Sequence, residues 1–242
     1  MIILCEIKTN ILISSSTDKL IKIWNISKTS LNLLKIIQTS SDNALKLYSL
    51  TNNRFICKSD FNIQIYKNFE PYTNITVLNE TSKIFSLCPM KGKDTIITGT
   101  IKKINFWDTY LMKHINEITS DKIKLFDNLV ELPNNLLAAS DRLSYSINFF
   151  NSETYELIQE IKSEYIINES YRTSLQLLNN DSLIFIYSGK FIQISLCELK
   201  INFSLNNDEE FGGNKTIIKD NGKFLFIPQE DSWGSSIFQT NL

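Results

Sequence analysis

The chain of 242 residues holds one histidine, His114, and only three arginines, Arg54, Arg142 and Arg172. With a single imidazole, any Ser-His-Asp triad depends on His114, which sits in an expected outer strand, far from any serine in a nucleophile elbow. Few arginines, scattered lysines and a net charge of −1 exclude the basic face by which nucleic-acid binders grip phosphate. The four cysteines, Cys5, Cys57, Cys88 and Cys197, form no CxxC pair and no dense even framework. They read as reduced, buried, small apolar residues, so neither a zinc site nor disulfides are expected, and a cytoplasmic or nuclear setting is. There is no GxGxxG and no phosphate loop, so no cofactor is expected. No apolar run approaches the length of a membrane span. Glu6 and Lys8 interrupt the apolar start too early for a signal peptide, so no membrane insertion is expected. Glycine (7) and proline (4) are scarce for a chain rich in turns. Another residue must supply the positive φ that tight hairpins need.

What the chain has is a repeat. The pattern apolar–x–apolar–aromatic occurs at Ile21-Lys22-Ile23-Trp24, Ile63-Gln64-Ile65-Tyr66, Ile104-Asn105-Phe106-Trp107 and Ile147-Asn148-Phe149-Phe150. Weaker copies end at Ser195 and Phe238, and the steps between fourth positions are 42, 41, 43, 45 and 43. Turn-formers recur in the same phase, 13 to 16 positions earlier: Thr9-Asn10, Asn52-Asn53, Lys91-Gly92-Lys93, Asn134-Asn135, Asn179-Asn180 and Asp220-Asn221-Gly222. Asn tolerates the left-handed region and takes glycine's place at these hairpins.

Each unit reads as four short strands rich in Val, Ile, Phe, Tyr and Thr. In the third they are about 84–88, 95–100, 103–107 and 114–118. The units span about 1–41, 42–82, 83–121, 122–166, 167–211 and 212–242. Strands at this spacing, with a period in the low forties, indicate an all-β fold: a β-propeller of about six four-stranded blades. Only three strands fit into the sixth unit, about 215–219, 223–228 and 236–240. Its last blade is therefore expected to be three-stranded, with an edge open to pairing by another chain or segment. The one segment with any helical character is Ser163 to Ser170.

Ser15-Ser16-Thr17-Asp18-Lys19-Leu20-Ile21-Lys22-Ile23-Trp24-Asn25 resembles the second turn and third strand of a WD-repeat blade. Asp18 stands six before the aromatic, where that family places its turn aspartate, and Asp60 repeats the offset before Tyr66. Trp107-Asp108 is a literal Trp-Asp pair. The resemblance implies a propeller whose loops at one channel mouth bind other proteins, making Thr17, Ser59 and Thr100 contact candidates. It also implies that Trp24, Tyr66, Trp107 and Phe150 are structural, mostly buried between blades, and that Asp18 and Asp60 cap their turns. Family blades carry a Gly-His pair whose histidine bonds the Asp and Trp. No unit here has that pair, so apolar packing is expected to hold the blades together.

Trp233, in Asp231-Ser232-Trp233-Gly234, is a further contact candidate, since exposed Trp is enriched at interaction hot spots. The run Asp208-Glu209-Glu210 reads as a solvated loop. Glu6 and Asp127 fall near first strands without a repeated acidic position, which gives little to a glycosidase-like carboxylate pair. The expected function is a non-catalytic scaffold or recognition module for other proteins. The alternatives are a propeller hydrolase or lyase with carboxylates in the channel mouth, and a structural subunit of a large assembly.

Overall fold

The structure, a computed structural model, describes residues 2–16, 18–39, 46–67, 74–121, 123–144, 146–162, 173–187, 190–206, 215–220, 223–228 and 238–241. Thr17, Trp233, the 208–210 acidic run and the 163–170 segment lie outside the described residues.

The described chain is all-β. The first sheet is β1 (Ile2–Lys8), β2 (Ile11–Ser16), β3 (Leu20–Ile26) and β4 (Leu31–Gln38). The second is β5 (Lys46–Ser49), β6 (Phe55–Lys58), β7 (Asn62–Lys67) and β8 (Asn74–Asn79). The third is β9 (Ser86–Pro89), β10 (Thr95–Gly99), β11 (Lys103–Asp108) and β12 (Lys113–Thr119). The fourth is β13 (Phe126–Leu132), β14 (Leu136–Asp141), β15 (Ser146–Asn151) and β16 (Leu157–Lys162). The fifth is β17 (Thr173–Asn179), β18 (Ser182–Tyr187), β19 (Lys190–Ser195) and β20 (Lys200–Asn206). The last is three-stranded among the described residues: β21 (Lys215–Asp220), β22 (Lys223–Pro228) and β23 (Phe238–Asn241). In every sheet the strands lie in chain order. One 3-10 turn, Thr51–Asn53, departs from the all-strand expectation. No described helix is long and apolar enough to cross a membrane.

The hairpins show why glycine is dispensable. Asn10, Asn52, Asn53, Asn134 and Asn135 all adopt positive φ, as does Gly92. Asn enters the left-handed region at low cost because its short amide can bond locally. Met112, Tyr155 and Leu199, one per unit at the third turn, also have positive φ, although nothing in their side chains favours it.

Two compact units divide the chain: Met1–Thr98 with Asn105–Asn116, and Gly99–Ile104 with Glu117–Leu242. In the first, Ile11 and Ile13 on β2 and Ile21 and Ile23 on β3 pack with Leu47, Phe55, Cys57 and Tyr66 of the second sheet. Ile56, Ile63 and Ile65 on the other face of that sheet pack with Ile84, Leu87 and Ile96. In the second unit, Ala138, Ile147 and Phe149 pack with Leu175, Leu183, Phe185 and Ile194. Apolar layers thus lie between the first and second, the second and third, and the fourth and fifth sheets. Strands inside such a stack are buried on both faces, so β6 and β15 are buried along almost their whole length and not at alternate positions.

Candidate functional site

Trp24, Tyr66, Trp107 and Phe150 all lie on third strands, β3, β7, β11 and β15. Tyr66 and Phe150 are buried. The tryptophans keep some exposure but are mostly buried. Each indole N–H has a hydrogen-bond partner. Trp24 Nε1 donates to Ser14 Oγ at 2.9 Å. Trp107 Nε1 donates to Thr98 Oγ1 at 3.0 Å and to Glu80 Oε1 at 3.1 Å.

Glu80, directly after β8, also accepts from Asn105 Nδ2 at 3.0 Å to each oxygen and from the Thr98 hydroxyl. Thr98 and Asn105 are buried. Glu80 thus ties β10 and β11 together by polar bonds. The third unit does not rest on apolar packing alone. The lone histidine, His114 on β12, meets Trp107 edge-on, with centroids 5.1 Å apart.

The contact candidates direct their polar groups into their own turns. Ser59 Oγ accepts from Asn62 N at 3.1 Å and donates to Asn62 Oδ1 at 2.7 Å. Thr100 is buried and its hydroxyl donates to Lys103 O. Asp18 Oδ1 accepts from Leu20 N at 3.0 Å, and Asp60 pairs with Lys83 at 3.1 Å. Asp141 was not singled out from the sequence. It is buried and accepts from Lys124 N, Leu125 N, Leu143 N and Ser144 Oγ. It stands nine before Phe150, and only a search at that offset would have found it. Among the cysteines, Cys57 and Cys88 are buried and Cys5 partly so, while Cys197, on the turn after β19, is exposed.

The first unit contains a cavity of about 560 Å³, lined by Cys5, Leu47, Tyr48, Leu50, Met90 and Lys91, with Ser49, Thr51, Pro89 and Gly92 completing the wall. It opens beside the β5–β6 and β9–β10 hairpins, away from the turns that carry Ser59 and Asp60. Arg54 fixes this wall from behind. Its guanidinium is buried, ion-paired with Asp94, and donates to Thr51 O at 3.2 Å, Thr51 Oγ1 at 3.1 Å and Thr109 O at 3.1 Å. Three hairpins are thereby tied through one planar group. Such multiple donation in a fixed fork is what arginine offers and lysine does not.

No protein-family model matches this chain, and no curated protein matches it.

Inside the cavity, burial pushes the Cys5 thiol up, aided by the neighbouring Glu6 charge and opposed by a bond with the Ser49 backbone. Burial also pushes the Tyr48 phenol well up, with Cys88 adding to it. Both groups stay neutral at ordinary pH. Among the described residues, no three His, Cys, Asp or Glu side chains stand close enough to hold a metal ion.

Proposed function

We propose that the chain is a non-catalytic protein-binding module of the WD-repeat kind, its sheets acting as blades of a propeller. The repeated four-stranded antiparallel sheets, with apolar layers between neighbouring sheets inside each compact unit, support the propeller reading. The observation that carries the binding role is the cavity. It is lined mainly by apolar side chains, holds its thiol and phenol neutral, and is braced by the buried Arg54. A preformed apolar pocket with few polar groups suits capture of a large apolar side chain from a partner protein.

Panning a random-peptide display library on the chain tests this. Enriched peptides should share a large apolar residue, and Leu50→Glu, which places a charge in the pocket wall, should abolish their binding while leaving the circular dichroism unchanged. No enrichment, or equal binding to Leu50→Glu, would rule the reading out.

A further inference from the structure

β4 is the outer strand of the first sheet, and no described strand pairs with its free edge. Leu31, Leu33, Leu34 and Ile36 on it are each between 46% and 58% exposed. The outer strands β12 and β16 break up their edges with charge, Lys113 and Glu117 on the first and Glu160 and Lys162 on the second, whereas β8 carries none and β20 only Lys200. Charged residues on an edge discourage pairing with a foreign strand, whereas a long apolar edge is a template for it. β4 is eight residues long and has one charge, Lys35.

Pairing with β3 fixes which way each residue faces. Leu31, Leu33 and Ile36 stand opposite Ile26, Trp24 and Lys22, while Asn32, Lys35 and Ile37 stand opposite Asn25, Ile23 and Ile21. Ile21 and Ile23 are in the core, so the second set shares the core side and the first set faces away. The register shifts between Ile23 and Trp24, which leaves Leu34 as the extra residue.

We infer that β4 pairs antiparallel with β4 of a second copy of this chain, across a two-fold axis lying between Leu33 and Leu34. In that register Leu31 opposes Ile36, Leu33 opposes Leu34, and Asn32 opposes Lys35. Apolar meets apolar, polar meets polar, and each outer pair shares a face. Neighbouring registers fail. An axis through Leu34 sets outward Leu33 against core-side Lys35. An axis between Leu34 and Lys35 sets a leucine against a lysine and Asn32 against Ile37. An axis through Lys35 opposes like charges, which destabilises a sheet pair. Of these registers only the first is complementary, pairing all six residues from Leu31 to Ile36, and the strand carries no carboxylate to recruit a basic partner. An isologous contact of this kind closes as a dimer and does not propagate. None of its residues lines the cavity, so the inference stands apart from the proposed binding role.

Sedimentation equilibrium of the full chain tests it. The wild-type chain should show a monomer–dimer equilibrium. Asn32 is exposed, so substitutions there spare the fold while acting across the two-fold on Lys35. Asn32→Asp should tighten the dimer several-fold, and Asn32→Lys should loosen it several-fold. Leu34→Lys should leave only monomer, whereas Leu157→Lys, a similarly exposed position on β16, should change nothing. A wild-type chain that stays monomeric at every concentration overturns the inference and leaves the edge to a strand from another protein. Asn32→Asp and Asn32→Lys shifting the equilibrium in the same direction would overturn it as well.

Discussion

The third and fourth sheets carry the same four-residue pattern and hold its aromatic in different ways. Trp107 on β11 is partly exposed and tethered by polar bonds to Thr98 and Glu80. Phe150 on β15 is buried and meets Phe126 edge-on, with centroids 6.3 Å apart. The residue two before each aromatic differs likewise. Asn105 gives its amide to Glu80, whereas Asn148 donates to Ser146 Oγ at 3.2 Å and its Oδ1, although buried, has no hydrogen-bond partner among the described residues. One register position can thus be secured by a satisfied polar network or by close apolar packing. The two should respond differently to substitution.

The largest difference is expected at the aromatics themselves. Phe150→Ala removes a fully buried ring and should cost about 3–5 kcal/mol in a denaturant titration. Trp24→Ala removes a partly exposed side chain and one hydrogen bond, and should cost less. Equal losses would mean that the indole is as much part of the core as the phenyl ring, and the contrast would collapse.

The network comes next. Glu80→Ala strips partners from the buried Thr98 hydroxyl, the Asn105 amide and the Trp107 N–H. Each orphaned buried donor costs about 1–3 kcal/mol, less where water enters, so a total near 2–3 kcal/mol is expected. Glu80→Gln, which keeps an acceptor, should cost less than Glu80→Ala. If the two were equally mild, Glu80 would be an ordinary loop acid.

Asn105→Leu and Asn148→Leu sharpen the same contrast at smaller scale. The first takes a donor from the Glu80 carboxylate and should cost about 1–2 kcal/mol. The second removes an unpartnered buried acceptor along with one bond, and should be within about 1 kcal/mol of neutral. The comparison predicts the sign of the difference between them, read from paired unfolding midpoints.

How far the sequence revealed this depends on where each interaction lives. Hairpins were legible because positive φ has a local chemical signature, and Asn10, Asn52 and Asn134 carry it. The same backbone state at Met112, Tyr155 and Leu199 was not, because there the surrounding sheet imposes it on residues that do not ask for it. Trp107 announced its strand but not its tether, since Thr98 and Glu80 come from other segments and a glutamate between strands looks like any solvated loop. β4 misleads in the opposite sense: Leu-Asn-Leu-Leu-Lys-Ile-Ile reads as core, and the structure places most of it at an open edge. The cavity was invisible because it is a gap between chain segments about forty residues apart. Thr17 and Trp233 lie outside the described residues, so the comparison of sites stops at Ser59 and Thr100, which spend their bonds on their own turns.

The smallest expected effect separates Tyr66 from Phe150, two buried rings at one repeat position. Tyr66 stacks on Phe55 with centroids 4.5 Å apart, and its hydroxyl donates to Gln64 Oε1 at 3.0 Å. Burial raises its phenol above the ordinary value, with Cys57 adding to the shift. The folded state therefore holds the proton more tightly than the unfolded chain does. Once the pH passes the unfolded phenol's value of about 10, the unfolded state binds fewer protons and stability falls with pH. This contribution is fully present below that value and is lost as the pH climbs toward the raised one. Tyr66→Phe removes it, so the variant's melting temperature should decline less steeply than the wild type's above about pH 10. The buried Cys57 thiol, raised by burial in the same sense, acts from about pH 9 in both proteins. Parallel melting curves for the two proteins across that range would place the Tyr66 hydroxyl in water, and its ring would then no longer match the dry setting of Phe150.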